Sequence, residues 1–166
     1  LIKTGKAQIG IIYSDGELKV DMDFFLLGQA RFLTIASPQH ALAKLNKVNS
    51  SDLKAHRQCA HRSLNQSELW FSYAISAKVW YANTHQTLID LVTQNVGWAL
   101  VPELAIKQQL KQGDLVALPV VHEQGGWLTP LGCVVSRSKP TGPVTESLLT
   151  LLQQHFLKEG DWKAKV

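Results

Sequence analysis

Fifteen residues, LIDLVTQNVGWALVP (88–102), constrain the fold more than any other stretch of the chain. Leu88, Leu91 and Val92, with Ile89 beside them, recur at i, i+3 and i+4, the spacing of one apolar helical face. Upstream, Asn83 and Gln86 stand at the separation of a capping box. Gly97 follows the stripe where a left-handed helix end favours glycine. WALV then returns at once as a buried strand. Pro102 suits the first position of a second helix, ELAIKQQLKQ, which Gly113 ends. A helix that stops sharply, returns as a strand and starts another helix is the repeating unit of an α/β sheet.

The flanking segments fit that reading. Apolar, β-branched runs predict strands at 7–13 (AQIGIIY), 31–37 (RFLTIAS), 76–83 (SAKVWYAN) and 128–138 (LTPLGCVVSRS), with short strands at RQCAH and DLVALPV. MDFFLLG leads into the second of these. A short helix, SSDLKAH, is expected with Ser50 or Ser51 as its cap. A last helix is expected over 143–158, with Val144, Leu148, Leu151, Leu152 and His155 on its apolar side. Strands alternating with helices predict a sheet with mostly parallel neighbours.

Composition narrows the function classes. The 166 residues carry a formal net charge of +4, and the basic residues are scattered instead of forming a block. That pattern describes a solvated surface better than a nucleic-acid face. Cys59 and Cys133 each sit in an apolar run, with no CxxC pair and no zinc spacing, as expected of buried thiols in a reducing compartment. No run is long enough to span a membrane and no signal peptide is visible. The chain starts at Leu1, not Met, and is expected to begin inside a longer product. No nucleophile elbow, P-loop, zinc-protease motif or dinucleotide fingerprint occurs, and the acidic residues form no close pair. No catalytic residue, metal or cofactor is therefore expected.

Several segments taken in order resemble one family. GKAQIGIIY, FLTIASPQHALAK, DLKAHRQC, the stretch SAKVWYANTHQTLIDLVTQNVGWALVPELAIKQQLKQGDLVAL and PLGCVVSRSKPTGPV together resemble the effector-binding domain of LysR-type transcriptional regulators. Gln8 stands where an aspartate is usual, and Asn95 where glycine is common. The resemblance implies an α/β, two-lobed periplasmic-binding-protein-like (type 2) fold with two crossing hinge strands and an incomplete lobe I. Lobe I would hold 1–36 and 127–166. Lobe II would hold 37–126, with hinge segments at about 37–45 and 120–127. A winged helix-turn-helix and the first unit of lobe I, usual in the family, have no counterpart here.

The resemblance also implies a small, anionic effector held between the lobes, self-association as a dimer or tetramer, DNA binding through the missing N-terminal domain alone, no membrane partner and a cytoplasmic location. A solute-binding domain of a transport system with the same fold is the alternative. Ligands of open α/β sheets bind beyond the carboxyl ends of the strands. The candidate effector-binding residues are accordingly Tyr13 and Ser14, then His61, Arg62 and Ser63, then Asn83, Thr84 and His85 at a helix N-terminus. Exposed N–H groups and the helix dipole there favour an anion. Arg31 is added because it matches a cleft-lining position of some family members. Trp80 and Trp98 are expected to pack in the core or between lobes.

Overall fold

A computed structural model describes residues 2, 4–14, 21–62, 69–123, 125–137 and 142–159, with only the backbone of 157–159. The chain divides into two compact units, 1–30 with 128–166, and Arg31–Trp127.

In the first unit, β1 (Ile9–Tyr13) pairs antiparallel with β7 (Trp127–Ser136), Ile11 opposite Cys133. β7 in turn lies beside the first part of β2 (Met22–Ala36). The terminal helix α4 (Pro143–Glu159) closes a small core in which Leu149, Leu152 and Phe156 meet Leu27, Cys133, Val135, Ile9 and Phe25. The face expected to be buried is largely the wrong one: Val144 is 82% exposed and Leu151 62%. The helix carries two apolar stripes, and the one bearing Phe156 covers the strands. The strand expected at 31–37 begins earlier, at Met22, and takes in MDFFLLG, with Gly28 in extended backbone inside β2.

In the second unit, Phe32–Ala36 of β2 pairs antiparallel with β5 (Trp98–Pro102), and β6 (Val116–Ala117) pairs with β2. β5 runs parallel to β3 (Gln58–His61), which runs parallel to β4 (Val79–Ala82). The sheet is thus mixed, not mostly parallel. Its parallel pairs, β3 with β4 and β3 with β5, are reached through the long connections from β3 to β4 and from β4 to β5. Alternation along β5 sends Ala99 and Val101 to one side and Trp98 to the other. The first side forms a core with Cys59, Leu88, Ile89, Val92 and Ile106, under α2 (His85–Thr93) and α3 (Glu103–Gln112). The second side packs Trp98 and Ala36 against Leu42, Val48 and Leu53. These come from a 3-10 turn (Ala41–Lys44), the segment that follows it and α1 (Ser50–Ala55). Trp98 also donates its indole N–H to the Leu53 carbonyl at 3.0 Å. It is core, as expected. Trp80 is not: it is half exposed, with the Arg57 guanidinium 4.8 Å from its ring.

The helix ends show where local rules compete. α1 is capped by Asn49, not by Ser50 or Ser51. The Asn49 side-chain Oδ1 accepts from the Ser51 and Asp52 N–H groups, and the Asp52 carboxylate accepts from the Asn49 N–H, completing a capping box. α2 is capped by Thr84, not Asn83. The left-handed residue after α2 is Asn95, with φ 59°, and not Gly97. Gly97 is needed for a different reason. A Cβ there would overlap the Arg57 carbonyl oxygen, which accepts the Trp98 N–H at 3.0 Å. The strand can join β3 only because position 97 has no side chain.

Candidate functional site

Parallel strands end on the same side of a sheet, so β3, β4 and β5 deliver His61, Ala82 and Pro102 to one edge of the second unit. β2 runs the other way, and Phe32 pairs with Pro102. Arg31 therefore enters at that same edge, beside the start of α3, where it forms a 3.7 Å ion pair with Glu103. The loop after β4 continues into α2 and places Asn83, Thr84 and His85 there too. Six of the nine sequence-predicted residues thus share one sheet edge: Arg31, His61, Arg62, Asn83, Thr84 and His85. Tyr13 and Ser14 end β1 in the first unit. There the Ser14 N–H donates to the Pro130 carbonyl at 2.8 Å, and the Ser14 carbonyl accepts from the Thr129 hydroxyl at 3.1 Å. Burial raises the Tyr13 hydroxyl above its ordinary pKa. Ser63 lies outside the described residues.

Thr84 shapes the helix start. Its hydroxyl oxygen accepts the Thr87 N–H at 3.1 Å and lies 2.9 Å from the Thr87 hydroxyl. The remaining first-turn N–H groups lie at the sheet edge, with the positive end of the helix dipole behind them.

Behind the edge stands a wall of rings that no local sequence pattern announced. His61 and His85 stack with ring centres 5.1 Å apart and 20° between planes. Phe71 lies 5.8 Å from each and stacks on Phe32 at 4.8 Å. Trp70 packs edge-on against Phe32 at 5.2 Å and reaches Trp127 at 6.1 Å. Phe32 is fully buried, and Trp127 is 42% exposed. The wall runs from core to surface. Its members come from five separate segments, and only the fold brings those segments together.

The wall sets the protonation of the histidines. Burial, and then the charge that His61 would carry, push His85 down to about 4. Burial lowers His61 as well, with the Asn83 backbone carbonyl acting in the opposite direction. Both imidazoles are neutral at pH 7, so the positive character of the edge comes from Arg31, Arg62 and the α2 N-terminus. The Nδ1 of His61 is buried without a hydrogen-bond partner among the described residues. A polar atom left in that state costs about 1–3 kcal/mol unless something meets it. Among the described residues no group of three or more His, Cys, Asp or Glu could hold a metal ion. The buried cysteines are free, and burial pushes Cys59 up to about 11. The arrangement can hold a small molecule with an apolar or planar part on the ring wall and a negative group at the edge.

Comparison with known proteins gives a consistent result. A family model described as "LysR substrate binding domain" matches residues 1–157. The Multiple virulence factor regulator MvfR of Pseudomonas aeruginosa is 29% identical over 134 residues, covering 80% of this chain. The chain spans 40% of the length of that relative. Among solved structures, the regulatory domain of CcmR from Synechocystis PCC6803, in complex with 2-PG, is similar with a TM-score of 0.75. That match has 11% identity and covers 93% of this chain and 76% of that one. The effector binding domain of QuiR, in complex with shikimate, is similar with a TM-score of 0.71 and 13% identity, over 95% of this chain and 76% of that one.

Proposed function

This chain belongs to the LysR substrate binding domain family, and on that premise we propose that it senses a small anionic effector on behalf of a DNA-binding transcriptional regulator. The family has the periplasmic-binding-protein-like (type 2) α/β fold and consists of transcriptional regulators. The observation that carries the proposal is the edge of the second unit. There Arg31, Asn83, Thr84 and the α2 N-terminus share the edge with the ring wall of His61, His85 and Phe71, and Arg62 reaches the same edge from the other face of the sheet. Cationic side chains and aimed N–H groups take the charge of the effector, and the rings take its carbon frame. Ligand-bound relatives of the same fold, with 2-PG and with shikimate, support a small-molecule role. The effector acts by differential affinity for two states of the regulator, and a DNA-binding domain of the same polypeptide reads the outcome. The regulator self-associates and works in the cytoplasm. Among the described residues no helix is long and apolar enough to cross a membrane.

The test is a thermal-shift screen against small carboxylates, amino acids, aromatic acids and inorganic oxyanions. At 100 times its Kd an effector adds about 2.7 kcal/mol, which raises Tm by roughly 5–11 °C for a chain of this size. The shift is expected to shrink in Thr84→Ala, each variant being compared with its own unliganded Tm. A screen without any stabilising compound would remove the main support for a sensor role.

A further inference from the structure

Arg62 and Tyr81 form a pair that the site description leaves unexplained. Arg62 follows the last residue of β3, and its N–H donates to the Ala82 carbonyl at 2.8 Å, which fixes its backbone to the end of β4. The register sets Tyr81 opposite Ala60, so alternation carries Arg62 and Tyr81 to one face of the sheet and His61 to the other. The central carbon of the Arg62 guanidinium lies 3.6 Å from the Tyr81 ring centre. A planar guanidinium reaches that distance by lying flat on the ring, which leaves its N–H donors pointing outward in their own plane. Arg31 has Glu103 for a partner and Arg137 has Asp23, but no carboxylate among the described residues pairs with Arg62. Tyr81, for its part, is 43% exposed on the edge strand β4, so its ring face is open for the guanidinium to lie on.

We propose that Tyr81 is a positioning residue that holds the Arg62 guanidinium flat at the sheet edge, so that Arg62 takes two oxygens of a carboxylate or phosphate group of the effector at once. The inference rests on the sensor reading above and adds to it a binding geometry and a residue outside the predicted set. A guanidinium matches two oxygens of an oxyanion with two parallel N–H donors, whereas a lysine ammonium presents a point charge. The ring removes the rotational freedom that Arg62 would otherwise lose on binding, which is the gain from preorganisation. Arg57 over Trp80 is an internal control. It has the same kind of pairing, but it precedes β3 and so lies at the opposite end of the strand.

The experiment titrates inorganic phosphate and benzoate, separately and at constant ionic strength balanced with chloride, into the whole chain and four variants, with Tm and intrinsic fluorescence as readouts. Wild type is expected to respond to at least one of the two, and which one tells a phosphate from a carboxylate effector. Arg62→Lys is expected to lose most of the response. Tyr81→Leu is expected to bind about fivefold more weakly. Tyr81→Phe keeps the ring face and should bind within twofold of wild type, and Arg57→Gln should match wild type. Circular dichroism and unliganded Tm identify any variant that fails to fold, and the Tyr81→Phe comparison with Tyr81→Leu then decides between support and a merely structural role. Undiminished binding by Tyr81→Leu, or by Arg62→Lys, overturns the inference, while loss in Thr84→Ala alone leaves the sensor reading intact. Silence toward both anions, with a response to uncharged sugars or alcohols titrated beside them, also overturns it and spares the sensor reading. Silence toward every compound removes both.

Discussion

At the scale of single residues, the most constrained position is one with no side chain. Gly97 passes so close to the Arg57 carbonyl that even a methyl group must push β5 away from β3. Gly97→Ala is expected to cost about 3 kcal/mol, read as a lower urea midpoint with an unchanged m-value. Asn95, two residues earlier, tolerates its φ of 59° because a short polar side chain can. Asn95→Gly should therefore be close to neutral. The histidines make a second residue-scale prediction. The folded-state pKa of His85 is depressed to about 4 from 6.5, so the unfolded chain takes up this proton more readily than the folded one. Stability from this group is complete above pH 6.5. It falls as pH drops through the window from 6.5 to about 4, by up to about 3 kcal/mol. His61 shifts in the same direction and steepens the decline. Tm measured against pH should fall across that window, and His85→Phe should flatten the slope. A slope unchanged in His85→Phe would place the pH sensitivity elsewhere.

At the scale of elements, caps are the testable joints. Thr84→Ala removes the acceptor for the Thr87 N–H and should cost about 1 kcal/mol. Asn49→Ala breaks both halves of the α1 capping box and should cost at least as much. Thermal or urea melts of the two variants check both values. Elements were also where the sequence was most readable. The α2 stripe, its return as β5 and the start of α3 follow from periodicity and punctuation, and these local features carry the sheet edge where the predicted residues gather. α4 was misread because two apolar stripes share one helix, and periodicity alone cannot say which one meets a strand. β2 starts at Met22, well before the strand expected at 31–37, because the run MDFFLLG lies beside β7 and continues the same strand. The ring wall was invisible for a deeper reason. Phe32, Phe71 and His85 lie on three separate segments, and only sheet order makes them neighbours. Tyr81 was passed over because the value of its ring depends on register with β3.

At the scale of the whole molecule, the two units differ in how much they bury. Among the described residues, the second has core clusters of nine and seven buried residues, and the first has one of four. Apolar burial supplies about 25 cal/mol per Å², so the first unit is expected to open at lower free energy. Hydrogen exchange should show the amides of β3 and β5 outlasting those of β1 and α4. Equal protection in the two units would mean that they unfold as one cooperative body. An effector held at the edge of the second unit should raise protection first in β3, β4 and α2.

The two thiols described above have a practical consequence. Both are unpaired and buried, and burial raises both of their pKa values, that of Cys59 to about 11. At pH 7 the thiolate form of Cys59 is about one part in ten thousand. Toward maleimide the native chain should therefore behave as though it had no cysteine. A single cysteine introduced at an exposed position, such as Leu104 on α3 or Val144 on α4, can carry a dye without further engineering. The folded protein is in effect already prepared for single-site fluorescence, and uptake of label by the unaltered chain would report its unfolding.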